Sequence, residues 1–100
     1  MKLLPQQIET KLPPLYATEK EADPTVWVKF FSPSSQWTWY ATEYDPEERR
    51  FFGLVIGHET EMGYFSLDEL ECVHGPYGLG IERDIWYAPT PLSIVRATRP

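Results

Sequence analysis

Three side chains in this chain have the soft or imidazole chemistry of a nucleophile, a general base or a metal ligand: His58, Cys72 and His74. Cys72-Val73-His74 offers two zinc donors, and His58 with one acid would complete a tetrahedral four. No other spacing in the chain has the form of a ligand set. A buried helix-end cysteine beside a loop histidine is the plainer reading, and no metal or cofactor is expected. A Cys–His nucleophilic pair needs the two groups within hydrogen-bond reach, near a site for an oxyanion. Residues i and i+2 at a helix end do not face each other, and only folding brings His58 to Cys72. A small hydrolase using His58 or Cys72 is therefore a minor alternative, and no catalytic residue is assigned.

Carboxylates are the abundant chemistry. Segment 43–71 holds Glu43, Asp45, Glu47, Glu48, Glu59, Glu61, Asp68, Glu69 and Glu71 against Arg49 and Arg50. Nine acids against two bases give that segment −7, so the remaining residues carry +1 of the net −6. Paired acids can do general acid–base work on glycosides, but with nine in one stretch a pair falls at any chosen separation. An acidic domain is repelled by phosphate backbones, so direct nucleic-acid binding is not expected. The same charge would dock on a basic partner. Gly75–Gly80 is glycine-rich but lacks the lysine and hydroxyl residue of a phosphate loop.

The aromatic residues Trp27, Trp37, Trp39, Tyr40 and Tyr44 resemble a base-stacking platform in type but not in charge, since only Lys29 lies among them. Most are expected in the core. Any left exposed suit a protein interface. The expected partner-binding set is Glu43, Asp45, Glu47, Glu48, Glu59 and Glu61, with Trp37, Tyr40 and Tyr44 as aromatic anchors.

The elements that position these groups are short, as ten prolines in 100 residues require. Leu4, Ile8 and Leu12 recur every four residues and predict an N-terminal helix over 1–14, stopped by Pro13-Pro14. Leu15–Ala17 suits a short strand. Thr25–Tyr44 reads as two aromatic strands folded back through Ser32-Pro33-Ser34-Ser35. Asp45–Glu48 is a turn. Phe51–Ile56 is apolar on both faces and belongs inside the sheet. A turn at Gly57–Thr60 leads to a fourth strand, Glu61–Phe65. Ser66-Leu67-Asp68-Glu69 is a capping box opening a helix to about Val73. Asp84–Tyr87 suits an edge strand. Thr90-Pro91 opens a last helical turn through Leu92 and Val95, and 96–100 reads as a frayed tail. Tyr16-Ala17-Thr18-Glu19 is echoed by Tyr40-Ala41-Thr42-Glu43, at a spacing that makes no repeat. The expected fold is a single α+β domain over 1–100. It has an antiparallel meander of four to five strands, with short helices at the N-terminus and after the fourth strand.

One cysteine allows no internal disulfide. No apolar run approaches the ~20 residues of a membrane span, and the start MKLLPQQIET lacks a signal peptide's apolar stretch. No membrane association and a cytoplasmic address are expected.

The blocks KLPPLYATE, VKFFSP, WTWYATEYD, FFGLV, E-x-G-YFSL-x-ELE, GPYGL-x-IERD and PTPLS-x-V occur in this order over about residues 2–95. Together they resemble the small bacterial family catalogued as domain of unknown function 2958. The resemblance implies a small protein of plasmids, integrative elements and phages, sometimes beside DNA-processing or anti-restriction modules. It supplies no active site to carry over. The expected function is a non-enzymatic interaction module of a mobile genetic element. It would inhibit a host DNA-targeting defence by docking on a basic nucleic-acid-binding surface of a nuclease or CRISPR effector. The alternative is an accessory protein in plasmid or conjugative DNA processing that binds single-stranded DNA or a nucleoprotein.

Overall fold

Alternating β-branched and aromatic residues extend the middle of the chain into strands, and the turn residues between them fold it into an antiparallel sheet. The computed structural model describes residues 2–98. Its strands are β1 (Thr25–Val26), β2 (Val28–Phe31), β3 (Thr38–Asp45), β4 (Arg50–Ile56), β5 (Thr60–Ser66), β6 (Glu82–Arg83) and β7 (Thr90–Pro91). Five of them form one sheet in the order β5-β4-β3-β2-β6, and β1 pairs with β7 separately. The sequential strands β2 to β5 make the expected meander. β4 lies between β3 and β5, as its two apolar faces require. β6 closes the far edge by pairing with Phe30 and Phe31.

Three short helices complete the α+β domain: α1 (Gln6–Glu9), α2 (Leu67–Cys72) and α3 (Leu92–Thr98). Ser66 caps α2, its hydroxyl accepting the Glu69 N–H at 3.2 Å, as the capping box predicts. On one face of the sheet, Val28, Phe30, Ala41, Tyr44, Phe51 and Phe65 meet Leu3, Leu4 and Leu12 of the N-terminal segment and Leu67 and Leu70 of α2. Phe51 is the hub, with Tyr44, Phe65 and Phe30 rings centred 4.6, 5.0 and 5.3 Å away. On the other face, Tyr40 and Leu54 pack with Val26 and with Leu92 and Val95 of α3. Both faces are thus covered, each by roughly one layer. Each fully buried side chain of this size contributes about 1.5–3 kcal/mol.

Four segments depart from the sequence reading. The N-terminal helix expected over 1–14 is helical only at Gln6–Glu9. After it, Lys11 and Leu12 donate to carbonyls three residues back, the tighter pattern of a fading helix end. Residues 15–17 turn rather than extend, and Tyr16 adopts φ 71°. The late edge strand lies at Glu82–Arg83, because Asp84 to Tyr87 closes a turn in which Tyr87 N–H donates to Asp84 O at 3.2 Å. The C-terminal helix runs through Thr98, beyond the expected start of the tail; residues 99 and 100 lie outside the described residues. No helix among the described residues is long and apolar enough to cross a membrane.

Candidate functional site

The site begins with one extra residue in β3. Ala41 pairs with Gly53, but the next partner of β4 is Glu43 opposite Phe52, so Thr42 is a bulge. Thr42 is fully buried, and its hydroxyl donates to Phe52 O at 3.1 Å. The bulge changes the alternation of the strand. Tyr44 turns into the same core as Ala41, while Glu43 turns to the opposite face with Phe52. Gly53 makes the bulge possible, because a Cβ there would collide with the carbonyl oxygen of Tyr40.

Glu43 is only 3% exposed. Its Oε1 accepts the Tyr16 N–H at 2.9 Å, and its Oε2 accepts the Thr18 N–H at 2.9 Å and the Thr18 hydroxyl. A carboxylate from the sheet thereby ties down the loop over 15–24. These are the two echoed segments of the sequence, and they meet through Thr18 and Glu43. Among the described residues no ion pair forms to Glu43. A buried charge here is held by hydrogen bonds alone.

Beneath that loop lies a cleft of about 350 Å³, lined by Tyr16, Glu19, Glu21, Glu43, Phe52 and Tyr64 among others. Tyr16 and Tyr64 are 61% and 49% exposed at its mouth. The neighbouring Tyr16 hydroxyl, more than partial burial, raises the Tyr64 phenol above its ordinary value. The Arg50 guanidinium lies over the Tyr64 ring, 4.9 Å from its centre.

The expected acidic set divides between the two ends of the sheet. Asp45, Glu47 and Glu48 sit at the β3–β4 turn, which meets the start of α2: Leu67 N–H donates to Arg49 O at 2.9 Å. Arg49 also pairs with Asp68 at 2.6 Å and with Glu71, and these bonds, led by Asp68, raise its guanidinium further above the ordinary value. Arg50 pairs with Glu48 at 3.3 Å. Segments 45–50 and 67–72 together hold six acids and two arginines, a charge of −4 at this end. Glu59 and Glu61 lie at the β4–β5 turn, a strand length of about 20 Å away. They do not join Glu47 and Glu48 in one face.

The expected aromatic anchors are placed inward. Tyr40 and Tyr44 are buried, and burial first, then the Glu9 charge, raises the Tyr44 phenol. Trp37 is half-buried, stacked on Trp39 with ring centres 6.0 Å apart. The exposed aromatics are instead Tyr16, Tyr64, Tyr77 and Trp86, the last 89% exposed. For Tyr64 the signal was its place after Gly63 on an edge strand. For Trp86 it was a turn-forming Asp84 just before an apolar pair.

The soft ligands stay apart in their contacts. His58 is exposed at the β4–β5 turn, where its ring meets Trp37 edge-on at 5.6 Å. Cys72 is exposed rather than buried at the end of α2, and His74 beside it is exposed too. His74 lines a shallow cleft with Leu3 and Ile81, to which neither His58 nor Cys72 contributes. Among the described residues no group of three or more His, Cys, Asp or Glu is placed to hold a metal ion.

Comparison with curated proteins finds no match, and neither does comparison with solved structures. A family model does match, over residues 3–98 and so over every element described above, and the chain belongs to the family described as "Protein of unknown function (DUF2958)".

Proposed function

We propose that this chain is a non-enzymatic interaction module of a mobile genetic element, one that inhibits a host DNA-targeting system by docking on its basic nucleic-acid-binding surface. The observation that carries the reading is the acidic end of the sheet. There six carboxylates surround two arginines whose guanidinium groups are already engaged with Asp68, Glu71 and Glu48. A residual negative field faces outward, with the exposed rings of Tyr16 and Tyr64 beside it through Arg50. Carboxylates standing where phosphates would stand give charge complementarity and fast encounter, and tyrosines give anchoring area. This moves the docking surface from the whole acidic stretch to Asp45, Glu47 and Glu48 with α2.

Adding the purified protein to cleavage assays of a panel of restriction nucleases and CRISPR effectors tests the reading. Inhibition of at least one is expected. Glu47→Lys with Glu48→Lys should abolish it while circular dichroism and thermal midpoint stay unchanged. A panel left unimpaired, or inhibition indifferent to the double reversal, overturns it.

A further inference from the structure

We infer that the cleft between the 15–24 loop and the sheet is a receptor for a single guanidinium side chain, an arginine presented by the basic partner. The inference rests on the docking function proposed above and names what the partner inserts. Three independent features of the cleft agree on this ligand. Its lining carries Glu19, Glu21 and Glu43 and no basic residue. Lys20 and Asp23 lie on the same loop outside the lining, so the loop adds no net positive charge.

Glu43 is the second feature. It is a buried carboxylate with no counter-cation among the described residues. Its Oε1 accepts one hydrogen bond where Oε2 accepts two, which leaves acceptor capacity on the oxygen atom nearer Tyr16. Buried charges are held most favourably when paired as well as hydrogen-bonded.

The third is the aromatic lining. Tyr16 shows most of its surface at the mouth, and Phe52 lies within, 5.0 Å centre to centre from Tyr64. Guanidinium groups stack on such faces and fork their donors onto carboxylates, which an ammonium does less well. Arg50 over Tyr64 displays this arrangement beside the cleft. A space of about 350 Å³ admits a long side chain rather than a bare ion, and the apolar wall suits its methylene stem.

The test titrates the isotope-labelled protein with Nα-acetyl-arginine amide and with its neutral counterpart Nα-acetyl-citrulline amide, following backbone amide shifts. Saturable movement of the Tyr16 and Thr18 amides, which bond Glu43, is expected with the arginine probe. Citrulline should bind about tenfold more weakly or less. Tyr16→Leu, and Glu19→Gln with Glu21→Gln, should each weaken arginine binding while leaving the amide spectrum of the free protein unchanged outside the 15–24 loop and its immediate neighbours. Equal response to both probes, no saturable shift, or binding that the three substitutions leave unchanged would overturn the inference. Arginine failing while Glu47→Lys with Glu48→Lys still abolishes inhibition sinks this site and leaves the docking reading standing. Arginine binding intact in a protein that inhibits nothing sinks the docking reading alone.

Discussion

Glu43 shows how far a residue's type can mislead about its work. Among the acids of the sequence it looks like one more surface charge. Its position after the Thr42 bulge makes it the link that fixes the 15–24 loop through Tyr16 N–H, Thr18 N–H and the Thr18 hydroxyl. Removing it orphans two backbone donors, and hydrogen bonds to a charged group are worth about 1.5–3 kcal/mol each. Glu43→Ala should therefore cost about 3 kcal/mol, seen as a lower urea midpoint at unchanged slope. Glu43→Gln keeps an acceptor and should cost about 1 kcal/mol. A midpoint unmoved in the alanine variant would mean that the loop is held by something else. Tyr40 and Tyr44 carry the same lesson for aromatics: chosen as anchors for their type, both are core.

At the scale of elements, the β3–β4 hairpin decides what each face of the sheet presents. Its bulge depends on Gly53, because backbone, not a yielding side chain, occupies the space where a Cβ would go. Gly53→Ala should cost about 1–3 kcal/mol by overpacking. Gly63, opposite Gly53 on β5, has nothing within 4 Å of the same position. Gly63→Ala should be neutral or stabilise by about 0.5 kcal/mol through reduced unfolded-chain freedom. Thermal unfolding of the two variants side by side checks this, and equal effects would refute the bulge argument. The same hairpin separates the acids: β4 carries the chain away from Glu47 and Glu48 before Glu59 and Glu61 appear.

Across the whole molecule, the 15–24 loop bridges the sheet to α3. Asp23 accepts the Ser93 N–H at 2.8 Å and the Ser93 hydroxyl at 2.6 Å, and these bonds hold its carboxyl below the ordinary 3.8. A lowered folded-state value means stabilisation that is complete above the unfolded value and lost as pH falls through the folded one. Relative to Asp23→Asn, the native chain should thus be more stable above the ordinary carboxylate value and lose that advantage as pH falls below it. Protection of the Ser93 amide from hydrogen exchange should fall over the same range. An advantage that persists in acid would show that charge at Asp23 plays no part in holding α3.

Much of this protein was legible in its residues because the signals were local. Strand alternation, the Ser66 cap, the interior position of Phe51–Ile56 and the antiparallel meander all follow from neighbours in sequence acting on one another. The boundaries of α1, the turn at Tyr16 and the placement of β6 did not, since each is settled by contacts with distant segments. The docking surface and the cleft were the least legible. Which acids gather at one end depends on where the hairpin reverses, and which face Glu43 joins depends on one bulged residue. A single extra residue in a strand exchanges its two faces, and only the packed sheet, with Gly53 making room and Thr42 bonded to Phe52, determines that it is there.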